Sequence, residues 1–179
     1  MRIIVQKEQI RENYRLLKEK AGVPVIPVLK ANGYGLGAEG LFELLKDKAP
    51  LMAVSRLDEA LPLCGRGVEI LVLSCYSSED FARIALEKEL TVAVGDLDFA
   101  KLLSSLAEKP VRVHIKVDTG MGRFGFMPHQ LEEMAAVFAL PNIEVAGIFS
   151  HFSAAFLPPL TPKLTTPQVP FGMYFCARS

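Results

Sequence analysis

The sequence predicts an α/β fold: a TIM-type (β/α)8 barrel, incomplete, with about six β/α units and an irregular C-terminal tail. Three observations predict it. Short apolar runs alternate about six times with segments of helical spacing, and the connections are short. Most of those runs are apolar throughout rather than alternating, as expected of parallel strands covered by helices. The third observation separates a barrel from an open doubly wound sheet. Over residues 111–118 a period of two places His114, Lys116 and Asp118 on one face, and Val113, Ile115 and Val117 on the other. Three ionisable groups on one face suit a polar barrel interior and fit poorly beneath the helices of an open sheet.

The elements follow in order. A short apolar run opens residues 1–20, and then Ile10, Tyr14 and Leu17 recur at helical spacing among charges, giving an amphipathic helix. Gly22 and Pro24 stop it, and the apolar run 25–29 predicts a fully buried strand ending on Lys30. A loop with Gly33, Gly35 and Gly37 leads into a helix over 38–48, and Pro50 turns the chain into a second strand at 51–55. A helix over 56–64, closed by Gly65 and Gly67, precedes a third strand at 69–74. Ser77 and Ser78 ahead of Glu79 and Asp80 form a cap with acids in the first turn of a helix reaching about residue 89. A fourth strand occupies 90–94, and Gly95 and Asp96 open a helix carrying Leu102, Leu103 and Leu106. Pro110 resets the chain for the fifth strand, 111–118. Pro128 starts a helix to 140, and a sixth strand at 142–149 ends at Ser150 and His151.

From about Phe156 the character changes. Pro158, Pro159, Pro162, Pro167 and Pro170 crowd a span without periodicity, and no acid follows Glu144. The expected division is a barrel portion over 1–155 and an irregular, Pro-rich tail over 156–179, out of frame or disordered, with the chain a truncated form.

Composition narrows the partners. Half of the 179 residues are hydrophobic, and 20 Lys and Arg balance 20 Asp and Glu, so neither nucleic acid nor an anionic membrane is an expected partner. The N-terminus turns charged too soon for a signal peptide, and no apolar run approaches the roughly 20 residues that span a bilayer. Cys64, Cys75 and Cys176 are odd in number and widely spaced, which implies neither a disulfide framework nor a metal site. The expected location is the cytoplasm.

Three stretches carry candidate chemistry. Lys30 sits at the mouth of a predicted strand, where an ammonium is costly without a partner or a covalent role. The glycine loop after it would present N–H groups and a helix N-terminus to a phosphate. A reactive amine beside a phosphate cradle is what pyridoxal phosphate requires, because that cofactor carries both an aldehyde and a phosphate. Gly35, Gly37 and Gly40 also match the dinucleotide fingerprint, but the second strand ends in Ser55 and Arg56 rather than in an acid for the ribose. The second stretch, 116–126, sets Arg123 among glycines just past a strand, from where its guanidinium can fold back and donate to a cofactor oxygen. The third, Ser150-His151-Phe152, puts His151 after the sixth strand. Barrel chemistry collects at such C-terminal strand ends, and Lys30, Arg123 and His151 all follow strands. His129, at a helix start, has no assigned role.

Residues 29–37 (Leu-Lys-Ala-Asn-Gly-Tyr-Gly-Leu-Gly), 116–125 (Lys-Val-Asp-Thr-Gly-Met-Gly-Arg-Phe-Gly) and 147–152 (Gly-Ile-Phe-Ser-His-Phe) resemble, in order, three N-terminal signatures of bacterial alanine racemases. Residues 56–60 and 70–73 also fit that family, and the resemblance covers about residues 1–155. It departs at Gly33, usually alanine, and at Leu36, usually histidine.

The resemblance implies a fold-type III pyridoxal 5'-phosphate enzyme, an isomerase that interconverts L- and D-alanine as a homodimer and supplies D-alanine for cell-wall peptidoglycan. It implies that Lys30 forms the Schiff base and is one of two catalytic bases. It also implies that Tyr34 hydrogen-bonds the phosphate, Arg123 donates to the phenolic oxygen and His151 packs by the pyridine ring. Lys116 matches a position often carbamylated, where the added charge orients the arginine. The family's second base, a partner tyrosine, has no counterpart here, so the chain alone is expected to be inactive. The alternative is a noncatalytic module that binds pyridoxal phosphate or a dinucleotide.

Overall fold

The computed structural model describes residues 4–152 and the backbone of Phe175–Ala177. The chain divides into two units, Met1–Leu73 and Ser74–Ser179.

In the first unit the amphipathic pattern forms α1 (Lys7–Ala21), which Gly22 closes in the left-handed conformation. Tyr14 is its buried residue, and its hydroxyl lies 3.0 Å from the Val25 carbonyl and 3.1 Å from that of Lys48. A short turn, α2 (Lys30–Tyr34), precedes α3 (Ala38–Leu45), which buries Phe42, Leu44 and Leu45. Strand β1 (Leu51–Val54) pairs in parallel with β2 (Glu69–Val72), Leu51 opposite Glu69. Between them the helix expected over 56–64 is shorter: α4 (Leu57–Ala60) passes into a 3₁₀ turn at Leu61–Leu63. Pro62 has no N–H to continue an α ladder, which accounts for the tightening.

The expected buried strand at 25–29 is also corrected. Val28 makes a single parallel bridge to Ala53, and residues 25–28 are only half buried. Leu29 N–H donates to Ala53 O and Ala53 N–H to Pro27 O, and there the ladder ends. Pro27 removes a donor from within the run, and Pro24 another from the residue before it.

The second unit holds α5 (Glu79–Glu87), β3 (Thr91–Val94), α6 (Leu97–Leu106), β4 (Val111–Lys116), α7 (Leu131–Val137) and β5 (Ile143–Phe149). Strands β3, β4 and β5 run parallel, with a register shift between Val113 and His114 against β5. Strand β6 (Phe175–Ala177) pairs antiparallel to β5, and the rest of the expected tail lies outside the described residues. Ala82, Ala85 and Ala100 are fully buried on α5 and α6, and the rings of Phe81 and Phe99 stand 5.9 Å apart.

The helix caps foreseen in the sequence are present here. Ser78 accepts from Phe81 N–H, and the Asp96 carboxylate accepts from Phe99 N–H at 2.7 Å. Asp96→Ala is expected to lower stability by about 1 kcal/mol, read as a lower urea midpoint at unchanged slope. An unchanged midpoint would mean that the cap contributes nothing.

Candidate functional site

In the first unit the site is built on α2, a left-handed turn. Ala31, Asn32, Gly33 and Tyr34 take φ of 52°, 52°, 62° and 54°. Each non-glycine residue there costs roughly 1–2 kcal/mol, so the turn persists only because its surroundings over-determine it. Gly33 N–H donates to Leu29 O, Gly35 N–H to Ala31 O and Asn32 O, and Gly37 N–H to Asn32 O. The Asn32 side chain accepts from Ala38 N–H at 2.8 Å, and the Glu59 carboxylate accepts from Ala31 N–H at 2.7 Å. Lys30 is half buried, with its amine 5.8 Å from the centre of the Tyr34 ring, and Tyr34 is 69% exposed.

This turn corrects the loop half of the expected phosphate cradle. The N–H groups of Gly33, Gly35, Leu36, Gly37 and Ala38 are all spent on the turn itself. The glycines serve positive φ, not an anion. The same accounting leaves the fingerprint-like Gly35 and Gly37 without N–H groups for a pyrophosphate.

In the second unit β4 delivers the polar face that the period of two foresaw. His114, Lys116 and Asp118 are each at most 4% exposed. The Lys116 amine donates to Val117 O at 2.8 Å and lies 5.7 and 5.8 Å from the ring centres of Phe124 and Phe149. Burial pushes its pKa down and Arg123 pushes the same way, while Asp118 and Cys75 oppose. Burial likewise pushes the Cys75 thiol up to about 12.

Asp118 organises the loop that follows. One carboxylate oxygen accepts from Gly120, Met121 and Gly122 N–H, and the other from Arg123 N–H at 2.8 Å. These donors, Gly120 first, hold its pKa down at about 2. The Arg123 guanidinium rests over the Phe124 ring, 4.5 Å from its centre. The Thr119 and Ser150 hydroxyls are 2.6 Å apart, tying this loop to the residue before His151. His151 is half buried two positions beyond β5, and His129 is exposed.

Within one unit, then, Lys30 lies beside Tyr34; within the other, Lys116 and Arg123 share Phe124, and His151 follows the Thr119–Ser150 link. The sequence reading missed Glu59. Its place three residues after Arg56 is a capping-box spacing, but its bond to Ala31, 28 residues away, has no local signal.

The buried acid-sensitive groups set a pH profile. Burial, aided by Arg112, pushes His114 from 6.5 down to about 4, and Asp118 falls from 3.8 to about 2. Both folded values lie below the unfolded ones, so the unfolded chain binds more protons in acid. Stability is full above about pH 6.5 and is lost first toward pH 4 through His114, then from about 3.8 toward 2 through Asp118. The His114 step is on the order of 3 kcal/mol. Denaturation midpoints across that range should flatten over the first step in His114→Gln. A profile already flat in the parent chain would refute the assignment.

A family model described as alanine racemase, N-terminal domain, matches residues 5–169. The alanine racemase of Desulforamulus reducens is 39% identical over 160 residues, covering 84% of this chain and 43% of that protein. That of Clostridium novyi is 35% identical, covering 84% and 41%. Among solved structures, alanine racemase from E. faecalis superposes with a TM-score of 0.77 at 31% identity, covering 87% of this chain and 45% of that one. The Corynebacterium glutamicum enzyme gives 0.76 at 32%, covering 86% and 46%. The chain thus spans about two-fifths of the length of the curated relatives it matches. The fold is the TIM-type barrel, incomplete in this chain. Among the described residues no helix is long and apolar enough to cross a membrane, and no cluster of His, Cys, Asp and Glu forms a metal site.

Proposed function

This chain belongs to the alanine racemase family, and on that premise we propose that it works in a pyridoxal-phosphate-dependent racemase interconverting L- and D-alanine. The observation that carries the reading is the left-handed turn, which fixes the backbone directly after a half-buried lysine. The residues present suit the cofactor's groups. Lys30 offers a primary amine for the aldehyde, and the exposed Tyr34 offers a hydroxyl for the phosphate. Arg123, with its main chain fixed by Asp118, would donate to the phenolic oxygen, and His151 would pack by the ring.

When bound, pyridoxal phosphate supplies an electron sink that acidifies the amino acid's Cα–H. Lys30 would hold the cofactor through its amine, and that amine would take or return the Cα proton on one face. Lys116 is suited to carbamylation. Burial lowers its pKa, which enriches the neutral amine that adds to carbon dioxide with loss of a proton. The resulting anion orients Arg123.

The proposal includes a homodimer, a cytoplasmic location, alanine as the small-molecule partner, D-alanine supply for the cell wall, and a barrel portion ending near residue 155. The test is borohydride reduction of one sample of the chain with pyridoxal phosphate, followed by peptide mapping, and, on a separate unreduced sample, Cα exchange of both alanine enantiomers in deuterium oxide. Labelling at Lys30, with exchange faster than the cofactor alone gives, supports the reading. Labelling spread over exposed lysines, with no gain in exchange, overturns it.

A further inference from the structure

The Glu59 carboxylate makes three contacts, two of which a capping residue does not need. One oxygen accepts from Ser55 N–H at 2.8 Å and Arg56 N–H at 3.0 Å, and the other accepts from Ala31 N–H at 2.7 Å. The Arg56 bond is the reciprocal half of the capping box of α4. Ser55 directly follows β1, whose Met52, Ala53 and Val54 are fully buried, so that end of the carboxylate is fixed to the core of the unit. Its other end reaches the residue immediately after Lys30, a non-glycine residue at φ 52° that would relax to negative φ if released.

We propose that Glu59 is the positioning residue of Lys30: by clamping the Ala31 amide to the end of β1, it holds the left-handed turn and so aims the lysine amine. This rests on the covalent role of Lys30 proposed above. Glu59 itself does not reach the amine, so its action runs through the backbone.

The clamp needs a carboxylate rather than an amide, because N–H donors face both oxygens. In Glu59→Gln the single carbonyl oxygen is drawn to the two donors at Ser55 and Arg56, and the –NH2 group is left against the Ala31 N–H. The cap of α4 then survives while the hold on Ala31 is lost. Glutamine thereby separates a structural cap from a positioning role.

The experiment measures two quantities on the full chain, Glu59→Gln and Tyr14→Phe. Tyr14→Phe loses hydroxyl contacts in the same unit without touching the turn. The first quantity is the rate of cofactor attachment. The Lys30 amine adds to the aldehyde carbon of pyridoxal phosphate, water leaves as the C=N bond forms, and borohydride quenching converts it to a secondary amine counted by peptide mass. The second is amide exchange at Ala31 and Arg56. Glu59→Gln should attach about tenfold more slowly, the scale of one lost charge-assisted hydrogen bond. Its Ala31 amide should exchange faster while Arg56 stays protected, and Tyr14→Phe should attach at the parent rate.

Attachment at the parent rate in Glu59→Gln, or equal slowing in Tyr14→Phe, overturns the positioning role while leaving Lys30 as the attachment site. Absence of Lys30 labelling in the parent chain instead overturns the proposed function, and this inference with it.

Discussion

Lys30→Ala is expected to abolish covalent attachment of pyridoxal phosphate at residue 30, with the remaining label spread thinly over exposed lysines. The amine is the only group in the turn with the chemistry, and nothing nearby replaces it. Ala31 and Gly33 have no reactive side chain, Asn32 is engaged with Ala38, and a phenol such as Tyr34 forms no stable bond to an aldehyde. Lys30→Arg retains the charge and is expected to fail equally, because the guanidinium stays protonated. Any Cα exchange by the loaded parent chain should fall by about 10²–10⁴, the usual worth of a positioned base, with the lost tether adding to that. The fold should survive, since Lys30 is half buried and its side chain packs only loosely on Tyr34. Equal labelling of parent chain and Lys30→Ala, read by peptide mass, would remove Lys30 from the site.

Much of this was legible in the sequence because it is local. The apolar runs that became β1 to β5, the caps at Ser78 and Asp96, and the polar face of His114, Lys116 and Asp118 follow from spacing alone. Two features misled. The apolar run 25–29 has the composition of a buried strand, but Pro27 removes a donor and the run makes one bridge. The glycines after Lys30 have the composition of an anion loop, yet their N–H groups close a left-handed turn. Composition constrains which φ values a loop adopts; it does not say where each donor goes.

Glu59 and the Thr119–Ser150 pair were out of reach for another reason. Each joins segments about 30 residues apart, and only the fold brings those segments together. Both pairs follow one pattern. A residue just after a strand, or Ala31 just after the Val28 bridge, is tied to a residue just after another strand or to the helix after one, so the loops carrying Lys30 and His151 are anchored from the side. Asp118 does the same for Arg123 within its own loop, by way of four backbone donors.

Gly125→Ala should be the most damaging single-methyl change in the second unit. Gly125 has φ +118°, a region that side chains rarely enter. A Cβ placed there would lie 2.8 Å from Lys116 O, 2.9 Å from Lys116 Cγ and 3.0 Å from Asp118 N. Two of those three atoms are backbone atoms already in use. Lys116 O accepts from Phe126 N–H and Asp118 N–H donates to Phe126 O, forming the small parallel bridge of Val117 with Phe126. The methyl therefore cannot be absorbed by a rotamer change. It must part the bridge, displace the Lys116 stem or move the Asp118 turn. Strain of roughly 1–3 kcal/mol and overpacking of about the same size add to roughly 2–6 kcal/mol. Against a typical stability of about 5–15 kcal/mol, that leaves the variant marginal.

Gly95→Ala is the matched comparison. Its Cβ would meet Cys75 Sγ at 2.7 Å and Gly125 Cα at 3.1 Å, but no positive φ is required. Its cost should be smaller, and Cys75→Ala should relieve part of it. Denaturant midpoints of the three variants and the double variant measure the order. A Gly125→Ala midpoint equal to that of the parent would mean the loop repacks freely, and that Lys116 and Arg123 are not held as described.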